Sequence, residues 1–537
     1  MAFQEAASPP PSSTRWWTLA LVTLATSMLM LDLSVVNVAL PSIRGDLDVA
    51  SLSDLQWVLD AYALTLGVFL LTGGSLADRF GRKRIFLAGF GVFSVSSLVC
   101  GVAWDMLSLN LARGVQGFGA AVLFAVGPAL IAQEFRGKER ATALGVFAGG
   151  YGVAIAAAPL VGGALTQGVS WRWVFLLNVP LGIFAIVTGA WKIRDTGERR
   201  NHGDDWLGLI SFSLSMTALV YAILRGNAEG WTSGLILGLF AVAAVLMTAF
   251  IAIEQARGER AMLDLSLFRN RSFNGLAAVS VILMGAALAA IFLETAFLQN
   301  ELHHSPLETG VRMLPLTAVL MLMGGVVGGL TARVSPRYLL GFGSVAVAAG
   351  IVTVPLMLDD GSSWTALLLS FLLLGIGLGI FNPTRAAMAI NLVEPRKAGM
   401  SNGASETFQQ IGVALGIAIF GALYEARLTS HFVDSGVGRE LGATAQHLGE
   451  PLAAGGSQVA ADAVPGDVAA RAVEAAHSAA VSGLTETFAI GAGVMVVAAV
   501  IGFAFVSGKD MHESSVVEAE GPAPVQPDDE AAETALR

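Results

Sequence analysis

GSLADRFGRKR, residues 74–84, carries five charged side chains in eleven positions, in a chain where charged residues make up only 13 % of the 537. Apolar runs of membrane length flank it on both sides. A short, strongly basic connection between two such runs is expected at a membrane surface, so the chain reads as one that crosses a bilayer repeatedly.

Composition points the same way. Hydrophobic residues make up 54 % of the chain and the mean hydropathy is +0.67, more apolar surface than a soluble domain of this size can bury. The first apolar run, Trp16 to Leu40, is too long for a cleavable signal peptide and lacks a basic segment before it, so it reads as a retained first helix. The single cysteine, Cys100, sits in an apolar stretch, which excludes disulfide frameworks and thiolate metal sites. The net charge of −10 does not argue for or against a nucleic-acid partner. Its acidic excess lies largely outside the helices, notably from Glu513 to Glu533, an Ala-, Pro- and acid-rich tail expected to be disordered.

With about 20 apolar residues per span, the chain reads as fourteen helices. An even number puts both termini on one side. With the N-terminus inside, roughly 22 Lys and Arg fall in cytoplasmic segments and roughly 6 in external ones, the asymmetry that sets orientation. The expected layout is a cytoplasmic N-terminus (1–15), a six-helix bundle (16–194), a two-helix insert (195–256), and a second six-helix bundle (257–507) with an external loop at 425–482. A cytoplasmic tail (508–537) follows.

Gly74, Asp78, Arg79, Gly81, Arg82 and Lys83 fill the pattern G-x-x-x-D-R-x-G-R-R/K, which resembles the signature loop of the major facilitator superfamily. The resemblance implies an all-α polytopic membrane protein with two six-helix bundles, here plus two extra helices, and gives this loop the role of a cytoplasmic latch. A second copy, GLTARVSPR at Gly329 to Arg337, keeps Gly329 and Arg337 but has Arg333 and Pro336 where Asp and Gly would stand. LDLSVVNVALPSI (31–43), LARGVQGFGAA (111–121), SWRWVFLLNVPLG (170–182), MLDLSLFRNRSF (262–273) and QQIGVALGIA (409–418) resemble fourteen-helix drug:proton antiporters of the QacA/EmrB type, such as the antibiotic exporters of actinomycetes. Gly145, Pro159, Gly162 and Gly163 resemble the antiporter motif G-x8-G-x3-G-P-x2-G-G, with Ala154 and Ala158 replacing two glycines. Small residues let helices approach closely, and Pro leaves a carbonyl unpaired. A tightly packed helix would show the same composition, so the exporter reading rests on the ordered pattern.

Charged residues within the spans are Asp32, Asp60, Arg113, Glu294, Arg385 and Glu406. Each costs roughly 2.5–3.5 kcal/mol to insert on the mildest scale, so they mark function unless locally satisfied. The resemblance assigns Arg113 to proton coupling. A carboxylate removed from water holds a proton more readily, and a guanidinium beside it reverses that preference. Asp32 is therefore expected to be a proton-carrying acid controlled by Arg113, with Glu294 or Glu406 as a second acidic site; Arg385 may be read instead as snorkelling to the cytoplasmic face.

No G-x4-G-K-S/T loop is present, so the chain does not read as an ATP-driven pump by itself, and no nucleophile elbow or zinc-protease helix marks it as an enzyme. His303 and His304 lack a third ligand at a metal spacing. The expected function is proton-coupled efflux of hydrophobic drugs or antibiotics by alternating access, without cofactor or metal. The partners would be protons, membrane lipids and a small hydrophobic substrate, neutral or cationic. The setting would be the bacterial plasma membrane and the state a monomer. A proton symporter importing a small solute, and a non-transporting receptor, are the alternatives.

Overall fold

A computed structural model describes residues 14–47, 52–135, 137–194, 205–258, 261–330, 334–394, 397–464 and 466–507, and among them every regular element is helical. The acidic tail, Arg333 and part of the basic stretch at 192–200 lie outside the described residues.

The first group is α1 (Thr14–Asp46), α2 (Leu52–Phe80), α3 (Arg82–Gly101), α4 (Met106–Glu134) and α5 (Gly137–Gly168), then α6 (Arg172–Leu176) and α7 (Asn178–Lys192), which Leu177 joins end to end. The pair α8 (Trp206–Glu229) and α9 (Gly234–Arg257) follows. The last group comprises α10 (Arg271–Ala296), α11 (Pro306–Arg312), α12 (Leu314–Leu330), α13 (Pro336–Met357), α14 (Leu368–Asn391) and α15 (Ala398–Asp434). Four short helices, α16 (Gly436–Leu441), α17 (Ala443–His447), α18 (Gly449–Gly455) and α19 (Val459–Ala463), lead into α20 (Gly466–Phe505).

Local chemistry sets the helix ends. Asp105 accepts the Ser108 amide at 2.8 Å while Ser108 Oγ accepts the Asp105 amide at 3.3 Å, a reciprocal cap that starts α4. The Ser108 hydroxyl and amide hold the exposed Asp105 carboxyl below its usual range. Ser305 and Glu308 cap α11 in the same way, with Pro306 supplying a preset φ at its first position. Asn270 accepts the Ser272 and Phe273 amides at the start of α10.

The two largest of the apolar clusters belong one to each group of helices. Phe86, Phe90 and Phe93 of α3 anchor one among α1 to α7, and Phe371, Phe381, Phe432 and Phe488 anchor the other among α10 to α20. Each group therefore buries its own apolar faces, and α8 and α9 add Phe212 and Phe250 to the second core. Arg15, at the start of α1, pairs with Glu139, and Ser507, after α20, donates its amide to Ser272 at the start of α10. The start of α1 and the end of α20 lie at one face of the molecule, called the near face below.

Twelve helices among the described residues are long and apolar enough to cross a membrane, with α6 and α7 taken together as one. α5 and α12 occupy two further expected positions, and α12 is a shorter apolar helix.

Two expectations about loops are corrected. Residues 74–80 of the signature segment are the last two turns of α2, and Arg82 already begins α3, so the connection is Gly81 alone. Its φ of +99° is open to glycine and strained for any other residue, which is how one position turns the chain. The segment 425–482 is largely helical: α15 runs on to Asp434, and α20 starts at Gly466 rather than near 484. Ala472, Ala476, Ala479 and Ala480 pack into the second core, so small side chains that look like linker composition are a helix-packing face. His477 bridges Glu301 Oε2 (2.8 Å) and the Asp360 carbonyl (3.2 Å), tying this far-face cap to α10 and to the connection before α14.

Candidate functional site

Asp32 on α1 and Arg113 on α4 are both fully buried and in direct contact. Arg113 lies seven residues into α4, so its guanidinium reaches back to α1 and α2 inside the first bundle. Its Nε donates to the Val58 carbonyl at 2.8 Å and its Nη1 to Gln116 Oε1 at 2.8 Å, besides Asp32 Oδ2. The Gln116 amide donates to Asp32 Oδ1 at 3.0 Å and to Ser97 Oγ at 3.1 Å, and Asn178 Nδ2 approaches the same two oxygens at 3.4 and 3.1 Å. The Tyr62 ring covers the guanidinium at 4.3 Å. A carboxylate and a guanidinium in so dry a setting are tenable because amides and a ring face replace water.

The shell is nevertheless incomplete. Among the described residues, Arg113 Nη2 and the Tyr62 hydroxyl have no hydrogen-bond partner. Gln116, Asn178 and Ser97 were not among the residues expected from sequence. Gln116 stands three positions after Arg113, on the same helix face, and an amide inside an apolar span is itself a signal.

A second buried pair lies in the other bundle. Arg385 of α14 is 3 % exposed and bonds Glu406 of α15, 1 % exposed, and its Nη1 donates to Ser405 Oγ at 3.1 Å. The snorkelling reading of Arg385 is thereby corrected, since a buried carboxylate one helix away gives the guanidinium an interior partner. Glu406 Oε2 has no partner among the described residues. Glu294 of α10 is apart from both pairs; it is fully buried, accepts from the Ser370 hydroxyl, and leaves Oε2 without a partner among the described residues. Asp60 is half-buried on α2, facing Arg225 of α8.

The signature segment reaches across the bundles. Asp78 accepts the Met400 amide at 2.7 Å and the Gly399 amide at 3.2 Å, the free donors of the first turn of α15. Arg82 holds the same carboxylate from its own side, with Nε at 3.2 Å and Nη2 at 3.1 Å. Lys83 donates to the Ala190 carbonyl at 2.8 Å, and Arg79 lies over the Phe80 ring. Gly74 rests against the Gly399 carbonyl and Gly403 against the Leu70 carbonyl, where any side chain would push α2 and α15 apart. Asn402 Nδ2 donates to the Ala125 carbonyl (3.0 Å) and Arg140 Nη1 to Asn391 Oδ1 (3.1 Å). All these inter-bundle bonds cluster at the near face.

The segment between α9 and α10, unassigned at the sequence level beyond its resemblance, joins this contact. Ser75 Oγ donates to the Met262 carbonyl at 3.2 Å, and the Asp264 amide donates to Met400 Sδ at 3.2 Å. Burial raises Asp264, but the Lys397 ammonium and the Ser266 donors outweigh it and lower the carboxyl to about 2. The Asp205 and Glu254 carboxylates hold the Met262 and Leu263 amides, tying the same segment to α8 and α9.

On α5, Gly145 lies against the backbone of Gly324 and Gly325 of α12, and Gly150 against Thr23 of α1. Gly163 faces open space, and Thr166 Oγ1 donates to the Gly162 carbonyl at 2.6 Å. Pro159 lies within the helix. Among the described residues no cluster of metal-ligating side chains forms.

Comparison with known proteins agrees with this architecture. The chain is 32 % identical over 491 residues to the tetracenomycin C resistance and export protein of Streptomyces glaucescens, covering 90 % of each chain. It is 31 % identical over 418 residues to the multidrug resistance protein Stp of Mycobacterium tuberculosis, covering 78 % of this chain and 77 % of that one. A proton:xylose symporter structure superposes with a TM-score of 0.62 at 12 % identity, over 94 % of this chain and 98 % of the other, a likeness of fold alone. Residues 22–416 match the family described as Major Facilitator Superfamily, and the chain belongs to it.

Proposed function

We propose that this protein exports hydrophobic drugs or antibiotics across the bacterial plasma membrane in exchange for protons, with the near face in the cytoplasm. The observation that carries the reading is the fully buried Asp32–Arg113 pair. Burying an ion pair at this depth is a poor way to gain stability, which points to use of the charges in transport, and a carboxylate that loses its guanidinium becomes a proton acceptor. The resistance and export proteins to which the chain is similar support the direction of transport.

Alternating access supplies the cycle. In the described state the bonds of Asp78, Asn402 and Arg140 close the near face. Opening that face breaks them, and Asp78 with Arg79, Gly81, Arg82 and Lys83 acts as the latch. α5 and α12 bring the membrane passes to fourteen, and the glycines of α5 form the seam on which the bundles rock. A movement of Arg113 away from Asp32 lets the acid load a proton from outside, and its return expels the proton inward. Glu406, beside Arg385 on the near-face side of the second bundle, is the second acidic site, and Glu294 is available to a proton or a cationic substrate. One net inward charge per cycle is worth about 2.3 kcal/mol per 100 mV, enough for a gradient of roughly fiftyfold.

Purified protein in liposomes with an acidified lumen tests this. Addition of ethidium or N-phenyl-1-naphthylamine should release protons from the lumen together with uptake of the compound. Compound flux that leaves the lumen pH unchanged would refute the exchange, and no flux with either compound would refute export of such substrates.

A further inference from the structure

A cavity of about 440 Å³ lies outside the path between the bundles, in the angle where α8 and α9 meet α2 and α15. Phe212 and Met216 of α8, Met247 and Phe250 of α9 and Phe408 of α15 form its walls, and Leu263, Leu265 and Phe268 its floor. Phe212, Met216 and Phe408 lie six to ten positions after the near-face starts of their helices, and Met247 lies ten before the near-face end of α9. At 1.5 Å per residue these walls are within roughly 15 Å of the near face, the depth of one leaflet of a hydrocarbon core about 30 Å thick.

The lining selects by chemistry. Among the described residues it contains no charged side chain, and its polar groups are the Thr407 hydroxyl, already donating to the Gly403 carbonyl at 2.9 Å, and the amide of Gln255 at the exposed rim. An ion would be stranded there without a counter-charge. An uncharged apolar body with a hydrogen-bonding group at one end would fit, and the volume is within the range of about 300–1,000 Å³ of small-molecule sites.

The position connects this space to the transport cycle. Leu71 of α2 and Ala404 and Thr407 of α15 also line it, and these two helices meet across the bundles at the near face. Parting α2 from α15 would open the cavity toward the interior. The floor is fastened to the same contact, through Lys397 on Asp264 and the Ser75 hydroxyl on the Met262 carbonyl. We propose that this cavity is a lateral entry site, collecting an uncharged apolar compound from the near-face leaflet before the α2–α15 contact opens. Its use as an entrance rests on the export reading above; occupancy by such a compound does not.

Two measurements on the full-length protein in liposomes test this. Irradiation with benzophenone, an uncharged aromatic ketone that inserts into methionine C–H bonds, should label Met216 and Met247 about tenfold more than the exposed Met357 at the end of α13. Met247→Trp, which fills the space from the side away from the α2–α15 contact, should abolish labelling of Met216. It should also raise the half-saturating concentration for N-phenyl-1-naphthylamine export about tenfold at little cost in maximum rate. Phe212→Trp should behave alike, and serves where Met247→Trp fails to insert. Labelling of Met216 no stronger than that of Met357 overturns the site. Labelling as expected with export unaltered in both variants overturns the entrance and assigns the cavity to membrane lipid. Absence of export by the unaltered protein would overturn the proposed function, while the labelling still decides the site.

Discussion

Asp32 and Arg113 are mutually dependent, and substitution separates their energetic role from their transport role. Arg113→Leu strands the Asp32 carboxylate in an apolar interior, at an expected cost of about 3–5 kcal/mol in stability. Asp32→Asn combined with Arg113→Leu should recover much of that loss, because no buried charge remains. Thermal unfolding in detergent reads both, and strictly additive losses would mean the pair is not coupled. Asp32→Asn alone should lower compound-driven proton release at least about tenfold while the protein still inserts, and release at the wild-type rate would remove Asp32 from the proton path. Asp78→Asn keeps the shape but weakens the bonds to the Met400 amide and to Arg82. It should slow turnover with a smaller change in apparent substrate affinity, and an unchanged rate would rule out a latch at Asp78.

Asp32 and Arg113 stand out in the sequence because charge inside an apolar run is costly wherever the helix packs. Their partners do not stand out. Gln116, Asn178 and Ser97 matter only because α3, α4 and α7 bring them around one carboxylate, and that convergence is tertiary. Arg385 shows the complementary failure, since a residue six positions from a helix end can reach the surface or turn inward, and only the position of Glu406 decides.

At the scale of elements, apolar runs place the long helices well, while connections are misjudged where polarity is taken for irregular backbone. Residues 74–80 are polar yet helical, because Asp78 and Arg82, four apart, neutralise each other beside the N-terminus of α15. The glycines of α5 are not equivalent either. Gly145→Leu would force α5 away from the Gly324 backbone and should destabilise the protein by about 1–3 kcal/mol, whereas Gly163→Ala, facing open space, should change stability by less than about 0.5 kcal/mol. Equal effects in a chemical-unfolding series would remove the close α5–α12 approach as the reason for glycine.

The segment before α10 gives a pH test at the same scale. The Asp264 carboxyl is lowered from 3.8 to about 2, so the ionised form is stabilised by folding. Its contribution is complete above the unfolded value and is lost as pH falls from about 4 toward 2. Acid unfolding of the wild type should be steeper across that interval than that of Asp264→Asn. Superimposable curves would show that the Lys397 pair adds nothing to stability.

For the whole molecule, the near face is expected to meet the cytoplasm. Trp104, 74 % exposed between α3 and α4, is on the far face, and Arg84 is on the near face. With Cys100 replaced by serine, a cysteine at position 104 should react with a membrane-impermeant maleimide in intact cells, and a cysteine at 84 only after lysis. The reverse pattern would invert the orientation, and with it the sense in which protons drive the cycle.

α15 joins all these levels, because it is unbroken over 37 residues. Its first turn holds Asp78, its third carries Glu406, and its last turns leave the hydrophobic zone to meet the α16–α20 cap. A continuous helix of that length is a rod of roughly 55 Å, so a tilt of about 5° at the near face displaces its far tip by about 5 Å. The cap is thus the visible end of a lever whose fulcrum is at the near face. A nanobody that clamps the cap to its surroundings should arrest turnover without entering the substrate path, and would offer a way to inhibit the carrier that its cargo could not compete away.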